Sequence, residues 1–139
     1  MAVDTRYLGK GLRFPFQIAT RDGGIGTIGS TSLSEGEDRI IQSIKQILGT
    51  PIKRRFMRRD FGSRLNLIPF EPNDEITAVL IKHYIREALA IWEKRIYVGS
   101  ITVDFTDRDD GLCYVGITFR IIKTNKIGNM VYPFYLRRL

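Results

Sequence analysis

The sequence has one cysteine and one histidine, Cys113 and His83, in a chain of 139 residues. A lone cysteine closes no intrachain disulfide, so nothing in the chain asks for an oxidising compartment, and folding in a cytoplasm is expected. Without a second histidine or cysteine there is neither a His-Glu-x-x-His pair nor a Cys/His ligand set, and no metal or other cofactor is expected. His83 then reads as a helix-surface or satisfied core residue. Cys113, on the apolar face of a predicted strand, reads as core packing. No apolar run approaches the roughly 20 residues that cross a bilayer, and Met1 to Arg6 lack the apolar core of a secretory signal. The short glycine pieces Gly9-Lys10-Gly11 and Gly23-Gly24-Ile25-Gly26 do not form a P-loop and read as turns. Repeats, low-complexity stretches and Pro/Ser-rich linkers are missing as well, so a single domain over 1–139 is expected.

Acidic residues are in deficit. Fifteen Asp and Glu face twenty-two Lys and Arg, a formal charge of +7. Such an excess points to nucleic acid, an anionic membrane or an acidic protein partner. The densest basic run is Lys53, Arg54, Arg55, Arg58, Arg59 and, close behind, Arg64. Phe56, Met57 and Phe61 interrupt it, as in a partly packed partner-contact loop and unlike a free basic arm. Asp60, Glu71, Asp74, Glu75 and Glu93 could supply the pair of acids a hydrolase would need, Asp60 with Glu71 for example. No carboxyl is marked out by an apolar setting, however, and Asp60 stands among arginines that favour its ionised form.

Apolar periodicity gives the elements. Phe14 to Ile18 reads as an edge strand that tolerates Pro15, Asp22-Gly23-Gly24 as a turn, and Ile25 to Ile28 as a returning strand. Ser34 and Glu37 have capping-box spacing. Ile40, Ile41, Ile44, Ile47 and Leu48 then form one helical stripe, with Arg39, Gln42, Ser43 and Lys45 on the other side. Gly49 and Pro51 end that helix. Pro51 to Pro72 reads as an irregular connector. A second helix starts near Asn73-Asp74-Glu75 and carries Ile76, Val79, Leu80, Tyr84, Ala88, Leu89, Ile91 and Trp92, a stripe broad enough to predict burial on more than one side. From Ile96 the period becomes two, through Ile101–Phe105, Cys113–Ile121 and Met130–Leu136, with turns at 107–111 and 124–129. Pro133 confines the last strand to an edge or a bulge. The fold class is α+β: a short N-terminal β-hairpin, two main helices and a C-terminal three-stranded antiparallel meander.

Several of these segments, in this order, resemble the gpW-type baseplate wedge proteins, the sheath initiators of contractile phage tails and related injection systems, a family also labelled lysozyme-like. The likeness rests on Gly11-Leu12-Arg13-Phe14-Pro15-Phe16, Gly23-Gly24-Ile25, Ile40 to Leu48 with Thr50, and Arg55-Phe56-Met57-Arg58-Arg59-Asp60-Phe61-Gly62-Ser63-Arg64-Leu65. It continues through Ala88 to Ile96, similar to the family's Glu-Pro-Arg signature, and Tyr132-Pro133-Phe134. Lys94 replaces the usual proline of that signature, and Lys53-Arg54 stand where Gly-Glu is commoner. The resemblance implies a structural protein and not an enzyme, made in the bacterial host cytoplasm and present in several copies per particle. Its implied partners are baseplate wedge proteins, sheath subunits and hub or tube proteins, with neither membrane nor nucleic acid expected.

By position, Trp92, Glu93 and Arg95 would dock onto the helical core bundle of the wedge. Loss of Glu93 or Arg95 is expected to stop incorporation and leave the isolated fold intact. The strands containing Leu112, Val115, Ile117, Phe119, Val131 and Phe134 would template the first sheath ring by β-augmentation. The rival readings are a small peptidoglycan hydrolase and, after it, a nucleic-acid-binding module acting through Lys53 to Arg64.

Overall fold

The structure, a computed structural model, describes residues 6–14, 18–19, 30–31, 33–68, 74–107 and 112–135. They group into two compact units, residues 1–46 and 47–139. The class is the expected α+β arrangement, with two helices and a three-stranded antiparallel sheet.

The first unit is built on two antiparallel ladders. Strand β1 (Lys10–Leu12) pairs with β4 (Leu33–Glu35), and β2 (Ile18–Ala19) pairs with β3 (Ser30–Thr31). The predicted hairpin is present, but its returning limb lies at 30–35; residues 25–28 and Pro15 to Gln17 fall outside the described residues. Ser34, read as the cap, lies outside the helix, in the strand before it. It sits in β4 opposite Gly11, and Gly36, at φ +65°, makes the corner into helix α1 (Glu37–Gly49). Arg39 donates from Nη1 to the Leu12 carbonyl at 3.2 Å. Gln42, expected on the polar side, is buried because its Oε1 accepts the Phe14 N–H at 3.1 Å. Ile40 and Ile44 are fully buried, as their spacing predicts.

The second unit starts with the last turn of α1, where Ile47 and Leu48 are buried. Helix α2 (Glu75–Trp92) begins at the predicted place. The Asp74 carboxylate accepts the Thr77 N–H at 3.0 Å, which satisfies one of the orphan donors of the first turn. Its inner face buries Ile81, Ile85, Ala88 and Leu89 and packs against β5 (Ile96–Asp107) and the 3-10 turn Leu65–Leu67. Each of the larger side chains contributes about 1.5–3 kcal/mol by leaving water. The predicted burial on more than one side is not found: Ile76, Val79 and Ile91 are each more than half exposed.

Strands β5, β6 (Leu112–Ile121) and β7 (Ile127–Tyr135) form the sheet in sequence order. On β6 every second residue from Cys113 to Ile121 is buried, which is the period-two pattern read from the sequence. Ile101, Ile96 and Met130 from its neighbours complete that face. The β5–β6 ladder shifts register twice, between Val98 and Ile101 and between Asp104 and Asp107, whereas β6–β7 runs without a break from Leu112↔Tyr135 to Arg120↔Ile127.

Candidate docking surfaces

The basic loop is an ordered structure. Pro51 and Ser63 form a parallel bridge, closed by Ile52 N–H to Ser63 O (3.1 Å) and Ser63 N–H to Thr50 O (2.9 Å). Inside it, Lys53 N–H donates to Arg59 O (2.9 Å), Arg54 to Pro51, Arg58 to Arg55 and Phe61 to Arg58. Ser63 Oγ donates to the Leu48 carbonyl at 3.0 Å, which takes up one of the free acceptors at the end of α1. Gly62 has φ +120°, and a Cβ there would lie 2.2 Å from the Thr50 oxygen, so only glycine closes the loop. Lys53, Arg54, Arg55, Arg58, Arg59 and Arg64 are all exposed.

Two of these cations are held on aromatic rings. The Arg55 guanidinium lies 4.4 Å from the centroid of Phe61, and that of Arg58 lies 5.3 Å from Trp92. Phe61 and Trp92 meet edge-on, 4.9 Å apart at 61°. The basic loop and the last residue of α2, separate candidates in the sequence, thus form one surface. The signal that joins them is Phe61, which sequence reading took only for an apolar interruption. A cavity of about 90 Å³, lined by Asp60, Ser63, Tyr84, Glu87, Ile91 and Trp92 among others, lies alongside.

Glu93 and Arg95 occupy the next position on this surface, but they satisfy each other. Arg95 Nε donates to Glu93 Oε1 and Arg95 Nη2 to Glu93 Oε2, both at 2.6 Å. The Glu93 side chain is 3 % exposed and that of Arg95 32 %. Hydrogen bonding to the Glu93 carboxylate raises the Arg95 pKa above the ordinary guanidinium value; burial opposes this, and the charge of Glu93 reinforces it. The helix ends here because Glu93 leaves α-conformation (φ −119°, ψ 80°) while its N–H still reaches the Leu89 carbonyl. What this pair presents outward is the open part of Arg95. Glu93 is therefore an internal strut first, and the expectation that its loss would spare the fold does not fit its burial.

The sheet places the predicted template residues unequally. β6 is the central strand, paired on both sides, so Leu112, Val115, Ile117 and Phe119 have no free backbone edge, and the last three are buried. Ile121 donates its N–H to Lys126 O, on the β7 side, and Ile122 to Arg95 O, on the β5 side. Odd-numbered residues of β6 therefore bond to β7 and even-numbered ones to β5. Phe134, opposite Cys113, uses its backbone toward β6; Val131, opposite Gly116, turns its backbone to the free edge. Pro133, opposite Tyr114, also faces outward, where its missing N–H costs no ladder bond. The β5 edge differs: it has two bulges, and its Gly99 carbonyl accepts Arg86 Nη2 at 3.4 Å.

Of the catalytic pair Asp60 and Glu71, only Asp60 lies among the described residues. It is an exposed loop residue 3.5 Å from Arg58 Nε. Among the described residues no group of three or more His, Cys, Asp and Glu stands where it could hold a metal, and no helix is long and apolar enough to cross a membrane. His83 is an exposed residue of α2 beside Tyr84, and Cys113 is buried in the sheet core.

The chain matches known proteins along most of its length. The family model described as baseplate wedge protein gp25 matches residues 34–126. Baseplate protein W of Escherichia phage P2 is 38% identical over 65 residues, which are 47% of this chain and 56% of that protein, so the match spans little more than half of the curated relative. A crystal structure from Geobacter sulfurreducens, of a protein provisionally named a tail lysozyme, superposes with a TM-score of 0.72 at 38% identity, covering 78% of this chain and 98% of that one. A chain of the anti-feeding prophage baseplate shares the fold at 18% identity (TM-score 0.63, covering 96% of this chain and 90% of that one). Another, from the postcontracted pyocin R2 baseplate, does so at 21% (TM-score 0.52, covering 76% and 91%). With the family model covering two thirds of its residues, the chain belongs to the gp25 family of baseplate wedge proteins.

Proposed function

We propose that this baseplate component joins the wedge to the sheath, with one surface for each. The Trp92–Arg95 corner, backed by Phe61 and the basic loop, docks onto a helical bundle of the wedge. The free edge of β7 receives a strand from the first sheath ring, and several copies per particle act in parallel. Synthesis in the bacterial cytoplasm and contact with hub or tube proteins belong to the same reading. The observation that carries it is the regular edge of β7, which no strand among the described residues pairs, a surface suited to β-augmentation in a chain of this family.

Val131→Pro tests the sheath contact. The substitution removes an outward N–H from the free edge and leaves the β6 ladder bonds in place. Particles carrying it should contain the chain at the baseplate but lack an ordered first sheath ring in electron cryomicroscopy. A normal sheath on such particles would refute strand pairing at β7. Trp92→Ala should instead remove the chain from the particle.

The hydrolase reading has one point in its favour, the name borne by the Geobacter relative. Release of soluble fragments from purified peptidoglycan, abolished by Asp60→Asn or Glu71→Gln, would establish it against the structural reading. The expected result is no release above buffer.

A further inference from the structure

At the tip of the basic loop Phe56 is 88 % exposed and Met57 85 %. Phenylalanine and methionine this open are unusual, because each leaves its whole apolar side chain in water. Met57 also has φ +64°, and Lys53, at the loop's entry, φ +69°; both are left-handed conformations that L residues other than glycine adopt at a cost. The isolated chain therefore bears left-handed backbone and exposed apolar side chains in the same loop. The tip is nevertheless fixed: the Pro51–Ser63 bridge, the Lys53–Arg59 bond and the Arg55 and Arg58 guanidiniums stacked on Phe61 and Trp92 hold its base. Lys53, Arg54 and Arg59 flank the two apolar residues along the loop, are exposed, and form no ion pair with described residues.

We propose that Phe56 and Met57 are a preformed plug that inserts into an apolar pocket of another particle protein, a pocket rimmed by carboxylates that meet Lys53, Arg54 and Arg59. This goes beyond the proposed wedge and sheath contacts, neither of which calls on Phe56 or Met57. Charge complementarity requires an acidic rim, and two adjacent apolar side chains require a pocket and not a flat surface. A nucleic acid would engage the cations but leave the methionine without a counterpart. A membrane would need more apolar area than two side chains supply for a stable anchor.

The test starts with particles in which Phe56 is replaced by photoreactive benzoylphenylalanine. Cross-links mapped by mass spectrometry should fall on one partner segment that holds apolar residues flanked by at least two Asp or Glu. Arg54→Glu with Arg59→Glu should then lower the copy number of the chain in the particle at least tenfold. Exchanging the mapped carboxylates for lysine should restore it. Met57→Gly relieves the left-handed strain, so the purified chain should melt at the same temperature or higher while incorporation falls. That combination separates a lost contact from a lost fold. Cross-links to a site without acids, a tip that faces solvent in the assembled particle, or normal incorporation of Phe56→Ser/Met57→Gly would overturn the proposal. So would tip-dependent binding to phosphatidylglycerol vesicles or to a DNA duplex.

Discussion

Glu93 and Arg95 are two residues apart, just past the end of α2, a spacing that gives no hint of a buried bidentate pair. The carboxylate comes out of water only because both of its oxygens find a guanidinium N–H, and charge-assisted bonds of this geometry are among the strongest a side chain makes. Glu93→Gln should therefore destabilise the isolated chain by about 1–3 kcal/mol, a value kept low because Arg95 is still one-third exposed and partly screened. Arg95→Ala should cost at least as much, since it strands the more deeply buried partner. Urea unfolding of the two variants, compared at equal m-values, checks both. If neither shifts the midpoint, the pair is a surface ornament and its value lies wholly in docking. Gln42 teaches the same lesson: the helix pattern put it on the wet side, and only the Phe14 N–H, 28 residues away, explains its burial.

Among the elements, the helices and the three strands were readable because their apolar periods are long and regular. The Asp74 cap and the alternation from Cys113 to Ile121 left little freedom in type or place. The outer row of α2 was misjudged for a physical reason: periodicity reports which residues avoid water, not whether this chain or a partner covers them. Ile76, Val79 and Ile91 have the composition of a core face without its burial. That β6 has no edge to offer is not legible in the sequence, because strand order, which decides whether an edge is free, is not contained in any one strand's pattern. Pro133 illustrates the gain from knowing it. Its nitrogen faces outward, so it interrupts the row of donors on the open edge, a known protection against unwanted pairing. Pro133→Thr should complete that row and cause concentration-dependent self-association of the purified chain, measured by sedimentation velocity, with little loss of stability. A variant that stays monomeric at high concentration would show that the edge is guarded by something other than the proline.

For the chain as a whole, alkaline pH is the informative axis. Burial pushes the Cys113 thiol up to about 11 from an ordinary 9.0, and burial also raises the Tyr132 phenol above 10.0. Between about pH 9 and 11 the unfolded chain has lost a proton that the folded chain keeps, so the stability linked to Cys113 is complete below 9 and declines toward 11, with Tyr132 acting in the same direction. Thermal midpoints measured from pH 8 to 11 should fall, and Cys113→Ala should flatten part of the fall even though it lowers the midpoint at pH 8. The same thiol should resist alkylation at neutral pH until the chain is unfolded.

The two edges of the sheet differ in kind: β5 is bulged and tied to Arg86, while β7 runs straight. A building block with two open edges can be added to from either side and lengthens without limit. With one edge shut, growth has a direction and a first member. If the proposed sheath contact holds, a stack of strands begun on β7 would not run backward through this chain, and the fold would mark an origin for polymerisation without itself becoming a polymer.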